Sequence, residues 1–288
     1  MSSLRFETPS PLDYFAALVA EDDQFSLLEA AIAVAQDDDP TLDVQSVLSQ
    51  IDRLAAKLKL RLAADAAAMH RLRCLNRFFF QELGFAGNVN NFYDARNSHL
   101  QHVLETRRGI PVTLALLFIE IAQQIGLDAK PVSFPGHFLV KLKMPQGEVV
   151  IDPCDGQSLS REALDERLMP YRHRQGLVGE FEAPLGLFLQ AASARDVLAR
   201  LLRNLKEIHR SDEDWVRLLA VQQRLVVLLP QAWEERRDRG LVWAALDDSV
   251  AAIADLQAYV DHCAEAEDAR AIVERLAELR RALPPRLH

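Results

Sequence analysis

The stretch RRGIPVTLALLFIEIAQQIG, residues 107–126, limits the fold more than any other. From Val112 to Ala122 it is apolar almost regardless of phase. A helix built from it has no broad face for water and must be enclosed by other elements. The run from Leu114 to Ile119 falls far short of the ~20 apolar residues that cross a bilayer. Pro111 lacks an N–H and has a fixed φ, both acceptable in the first turn of a helix. The segment therefore predicts a central helix within residues 107–126 that begins at the Gly-Ile-Pro turn, with the rest of a domain packed around it.

With 288 residues and 49% hydrophobic content, the chain has material for one large or two ordinary domains. A net charge of −9 argues against nucleic acid or an anionic membrane as the partner of the whole molecule. The N-terminal MSSLRFETPSPLDYF has no basic start followed by an apolar run, so no secretory signal is expected. Cys74, Cys154 and Cys263 form no CxxC pair and no disulfide framework. The expectation is a soluble, cytoplasmic protein.

Ahead of the central helix the chain reads as a helical leader. Ser10 is placed to cap a helix that starts at Pro11. QFSLLEAAIAVAQ forms a second helix, stopped by Asp37-Asp38-Asp39 and Pro40. In the third, Val44, Val47, Leu48, Ile51 and Leu54 fall on one stripe. A further helix is expected from about Asp65 to Leu83, ended by Gly84, followed by a polar loop, GNVNNFYDARNSHL. Beyond residue 126 the period changes. AKPVSFPGHFLVKLK and GEVVIDPCDG carry β-branched residues and alternation around the turn Met144-Pro145-Gln146-Gly147, an antiparallel hairpin.

If Met144 faces Gly147, paired positions sum to 291. His137 then shares a sheet face with Asp152, which pairs with Leu139 two positions on, a diagonal of ~7–8 Å. A slip of one residue would send the two side chains to opposite faces.

LVGEFEAPLGLFLQ is a candidate boundary, and from about Ser193 onward the pattern is entirely helical. Superposition at a 34-residue offset puts Gly240, Trp243, Ala252, Leu256 and Tyr259 at the small and large positions of a tetratricopeptide repeat. The preceding unit matches poorly except for Pro230. One good repeat, one degenerate repeat and a capping helix are expected, against the plainer reading of a generic helical tail. The expected domains are 1–180 and 187–288.

Three segments carry the chemistry: the helix start GIPVT, the strand GHFLV and the strand end VVIDP. Their order matches cysteine enzymes in which a thiol sits at a helix N-terminus, a histidine takes its proton and a carboxylate orients the ring. RRGIPVTLALLFIEIAQQIGL, PGHFLVKL and VVIDPCDG together resemble the transglutaminase-like, papain-like superfamily. The chain is similar to a bacterial family joining such a domain to C-terminal tetratricopeptide repeats. The resemblance covers most of the chain, and NNFYDARNSHLQHVLETRRGIP fits it too. It places the triad histidine at His137 and the aspartate at Asp152, and the cysteine position falls on Pro111, which has no nucleophile.

The fold class expected is α+β: a helical leader on a degenerate transglutaminase-like core with a small antiparallel sheet, then an all-α repeat unit. The expected function is a non-catalytic protein- or peptide-binding scaffold that uses the helical groove and the residual cleft, with His137, Asp152, Asn97 and Arg108 as binding residues. The alternative is a hydrolase or acyl transferase whose nucleophile is Cys154 or Thr113. A third reading makes His137–Asp152 a structural tie. A small buried cysteine and a threonine bonded back to helix carbonyls are the plainer roles for Cys154 and Thr113. Arg107 and Arg108 either pair with acidic groups of the leader or line an anion site at the helix start. His99 and His102 are three apart without further ligands, so no metal or cofactor is assigned.

Overall fold

A computed structural model of the chain describes residues 9–21, 25–179 and 182–282. It divides into two compact units, Glu21–Leu201 and the combination of Met1–Ala20 with Leu202–His288. Helix α1 (Pro11–Leu18), capped by Ser10 accepting from the Asp13 N–H, thus groups with the C-terminal helices. The compact units differ from a simple division at 180–187 in that respect.

In the Glu21–Leu201 unit, α2 (Leu27–Ala33) starts at Ser26 and tightens into a 3-10 turn, Val34–Asp37. Asp43 caps α3 (Val44–Lys59) by accepting from the N–H groups of Gln45 and Ser46, satisfying donors that a helix start leaves open. Val44, Val47, Ile51 and Leu54 of the expected stripe are buried. α4 (Ala68–Asn76) begins three residues after the expected Asp65 and runs into a π-helical turn, Arg77–Glu82, before Gly84 at φ +75° ends it. That wider turn buries Phe78 and Phe79, and the Phe79 ring stacks on Phe85 at 4.4 Å and meets Phe118 edge-on at 5.4 Å.

The segment expected as a polar loop, residues 87–100, contains a 3-10 turn (Ala95–Ser98); the two-residue strand β1 (Ala86–Gly87) ends at its first residue and helix α5 (Leu100–Thr106) begins at its last. Arg107 then adopts φ +61°, and β2 (Arg108–Gly109) pairs in parallel with β1. The central helix α6 (Pro111–Gln124) starts at Pro111, in the Gly-Ile-Pro turn where it was expected to begin. The left-handed Arg107 breaks the helical path, and the strand pairing takes up the backbone that precedes the proline.

Ten of the fourteen residues of α6 are buried. Strands β3 (Asp128–Val132), β4 (Leu139–Met144) and β5 (Gly147–Ile151) form an antiparallel sheet in that order. The expected hairpin is thus extended by a third strand. Met144 pairs with Gly147 and Val140 with Ile151, the expected register. α6 packs against α3, α4, α5, β1, β3 and β4.

The other face of the sheet, with Val132, Leu139 and Val150, is covered by Leu164 and Leu168 of α7 (Arg161–Arg174) and Leu185 of α8 (Leu185–Phe188). Sequence reading did not anticipate α7. Only Leu164, Leu168 and Arg172 of it are buried, and Pro170 interrupts the pattern of a helix former.

The C-terminal helices are α9 (Ala194–Ser211), which spans the unit boundary, α10 (Trp215–Leu228), α11 (Trp233–Ala245), α12 (Ser249–His262) and α13 (Ala269–Ala282). From α10 to α13 each packs on the next, and α1 lies on α10, with buried Arg224 over the Phe15 ring at 4.8 Å. Gly240 permits the close approach of α11 and α12: a Cβ there would lie 2.9 Å from Leu256 Cγ. Tyr259, also at a repeat position, is buried and donates to Asp268 Oδ1 at 2.5 Å.

Because α6 is enclosed, truncating its largest side chain should be costly. Phe118 is fully buried, and Phe118→Ala should lower stability by ~3–5 kcal/mol in urea titration. A change below ~1 kcal/mol would mean that the surround of α6 is loosely packed.

Candidate functional site

The hairpin register generates the site. β5 ends at Ile151, so Asp152 is the first residue past the strand and continues the face that holds Leu139. His137 lies in the turn before β4, after Gly136 at φ +72°, with its N–H bonded to Phe134 O at 3.0 Å. The two side chains meet: His137 Nε2 and Asp152 Oδ2 are 2.9 Å apart. An ionised carboxylate can only accept, so Nε2 carries the proton in this pair.

Asp152 is 5% exposed and held from several directions. Arg167 Nη1, from α7, donates to Oδ2 at 2.8 Å, and the Cys154 N–H donates to Oδ1 at 3.0 Å. Its own N–H donates to Gln157 O, and its carbonyl accepts from the Gly156 N–H. Burial pushes the carboxyl upward, but the bonds from His137, Arg167 and the Cys154 amide outweigh it and hold Asp152 well below the usual carboxylate range. Asp152 is therefore an anion at neutral pH and orients the imidazole. Arg167 is the site residue that sequence reading missed. The available signal was Ser160 as a cap, with Leu164 and Leu168 four apart behind it.

Cys154 joins this group. Its Sγ, a ring nitrogen of His137 and an Asp152 oxygen all lie within 4.8 Å of one another. Burial, then the Asp152 carboxylate and Asp155, push the thiol up to about 12, opposite to what an attacking thiol needs. Cys154 also packs on β1, where a Cβ on Gly87 would lie 3.2 Å from Cys154 Cβ. The Gly87 N–H donates to Cys154 O, and the next residue, Asn88, donates to Gly109 O, just ahead of Pro111. Two backbone bonds thus tie the cysteine to the start of α6.

A second group surrounds that helix start. Thr113 is fully buried: its Oγ1 accepts from the Ile110 N–H at 3.2 Å and lies 2.9 Å from Asn97 O and 3.0 Å from Ile110 O, its acceptors. That hydroxyl caps the helix and braces Asn97. Asn97, 1% exposed, donates to Asn91 O and Phe92 O and accepts from Asn88 Nδ2. It fixes a loop whose tip presents Val89, Phe92 and Tyr93 to solvent. Arg108 is exposed and donates to the carbonyls of Gly84 and Arg107. Arg107 lies over the Phe85 ring at 4.8 Å, and burial lowers its pKa. The structure therefore gathers His137, Asp152 and Cys154 with Arg167, keeps Asn97 and Thr113 at the Pro111 end, and turns Arg108 toward a backbone carbonyl.

Two outcomes follow from these environments. In the native protein Cys154 should resist iodoacetamide at pH 8 and react only after denaturation, read by mass spectrometry of its peptide. Rapid modification of native Cys154 below pH 7 would contradict the raised thiol. The lowered Asp152 carboxyl contributes stability above its unfolded value of ~3.9, which is lost as pH falls through and below that value. Asp152→Asn should therefore destabilise the protein at pH 7 and flatten the acid limb of a stability–pH curve. An unchanged limb would show that the carboxylate is not held as described.

Comparison with known proteins gives the family of the chain. A family model described as transglutaminase-like superfamily matches residues 45–203, and one for the tetratricopeptide repeat matches residues 205–277. A UPF0162 protein of Xylella fastidiosa (strain Temecula1) is 35% identical over 241 residues, which cover 83% of this chain and 85% of that protein. A UPF0162 protein of Vibrio cholerae is 27% identical, covering 84% and 87%. UPF0162 protein YchA of Escherichia coli K12 is 28% identical, covering 77% and 80%. No solved structure matches the chain. Because the transglutaminase-like model covers residues 45–203, more than half of the chain, and the relatives align along most of it, the chain belongs to the bacterial UPF0162 family of the transglutaminase-like superfamily, with tetratricopeptide repeats at its C-terminal end.

Proposed function

We propose that the chain is a non-catalytic scaffold that binds a protein or peptide partner. The observation that carries this reading is Pro111 in the position that the superfamily resemblance assigns to the nucleophilic cysteine. The other two candidates are unsuited to attack. The Thr113 hydroxyl is committed to capping α6, and the Cys154 thiol is held protonated. What remains is a charged, oriented His137–Asp152–Arg167 group that suits recognition or bracing.

The C-terminal helices supply a surface for a partner. A cavity of about 500 Å³ lies among α9, α10 and α11, with Trp215, Leu218, Leu241 and Val242 among its apolar lining. Its cations are already engaged: Lys206 with Glu235 and Asp238, Arg237 with Asp238 and Asp268. Such a cavity favours apolar side chains of an incoming peptide, with polar groups at the edge. Among the described residues no helix is long and apolar enough to cross a membrane. The three cysteines are unpaired, which fits a reducing cytoplasm.

The test is capture of partners from the cytoplasm of the source bacterium by the full-length chain. Trp215→Ala combined with Leu241→Glu, both at partly exposed positions, should abolish capture and leave the circular dichroism spectrum unchanged. His137→Ala should retain capture if the pair is a structural tie, and should then lower the thermal midpoint, by ~1–3 kcal/mol in stability. If it serves recognition, capture is lost with stability intact. Turnover of an amide substrate that disappears in Cys154→Ser would overturn the non-catalytic reading.

A further inference from the structure

Cys154 brings sulfur to a place where the chain already gathers nitrogen and oxygen. We infer that His137, Asp152 and Cys154 form a three-ligand binding site for a zinc-like divalent cation. Their donor atoms lie within 4.8 Å of one another. Metal–ligand bonds of ~2.0–2.3 Å in a tetrahedron place donors ~3.3–3.8 Å apart, so closure needs the widest pair to approach by ~1–1.5 Å. The residue best placed to move is His137, whose side chain is 24% exposed and which follows the left-handed Gly136. Asp152 and Cys154 are held more firmly, by the bond from the Cys154 N–H to Asp152 Oδ1 and by the seating of Cys154 on Gly87.

The donor set selects the class of ion. One sulfur, one imidazole nitrogen and one carboxylate oxygen suit zinc or cobalt, whereas magnesium and calcium need oxygen donors throughout. Thiolate, carboxylate and neutral imidazole together carry two negative charges, which a divalent ion balances in a largely buried setting. Loading releases the thiol proton. It also displaces Arg167, whose 41% exposed side chain now lies on Asp152 Oδ2 and is free to turn toward solvent. Three protein ligands leave one coordination position for water or for a donor atom of whatever enters the cleft. The inference does not rest on the peptide cavity, which lies in the other compact unit.

A second thiol–imidazole pair on the molecule provides the control. Cys74 Sγ lies 3.5 Å from His70 Nε2 on α4, two donors without a carboxylate. Chelator-treated full-length protein should take up one zinc per chain in equilibrium dialysis, and cobalt should give a thiolate-to-metal charge-transfer band. Cys154→Ser should weaken zinc at least ~10-fold and remove that band, while Cys74→Ser leaves both in place. His137→Gln, in the half-buried turn before β4, should weaken zinc comparably and retain the cobalt–thiolate band at saturation. It serves as the second variant should Cys154→Ser fold poorly. Arg167→Gln should tighten binding by removing the competing cation. Sub-stoichiometric zinc in the unmodified chain, or uptake that Cys74→Ser abolishes and Cys154→Ser spares, would overturn the site.

Discussion

The Glu21–Leu201 unit depends on one constraint: α6 cannot face water. Its buried residues run from Val112 to Ala122 with only Glu120 excepted, so each direction around the helix axis must be filled. Helices α3, α4 and α5 fill part of the circumference, and the strands fill the rest. The hydrophobic stabilisation is correspondingly shared among elements distant in sequence. The start of such a helix is its exposed liability, because the open N–H groups there would lie in an apolar setting. Pro111 removes one of those donors, and Thr113 covers the Ile110 N–H.

Charge in the site is arranged around Asp152 in the same spirit. A carboxylate with 5% exposure is unfavourable alone, and here it is compensated by an imidazole, a guanidinium and an amide. The arrangement resembles an enzyme's orienting carboxylate, while Pro111 leaves the start of α6 without a thiol. It also explains why Cys154, two residues from Asp152, is a poor nucleophile: the anion that steadies the histidine opposes ionisation of the thiol beside it.

Much of this was legible before any coordinates. The four residues of the Met144–Gly147 turn fix the register, which carries Asp152 past Ile151 on the face of Leu139, and the turn from Phe134 to His137 brings the imidazole to it. Gly240 marked the α11–α12 pair through the small residue that a close approach demands, here against Leu256 and Asp255. Other features left no periodic signal. Strands of two residues such as β1 and β2 are too short to alternate, and nothing at Arg107 marks it as left-handed. α7 was hidden because a helix with two buried leucines and a proline near its end reads as polar loop, and Arg167 stayed hidden with it.

The π-helical turn at Arg77–Glu82 has a consequence for how this family can vary in length. Its signature bond, Leu83 N–H to Phe78 O, spans five residues where an α-helix spans four, and Phe85 N–H to Phe79 O closes the end past the left-handed Gly84. A π turn is an α-helix carrying one inserted residue, and each residue rotates the path by ~100°. Removing a single phenylalanine from FFF would restore a regular helix and swing everything downstream by that angle. Phe85 would leave its stack on Phe79, and β1 would lose its alignment with β2 and with Cys154. Substitution along this segment and deletion within it are therefore unequal events: the chain can exchange one ring for another, but its residue count here is set by the geometry of the site beyond it.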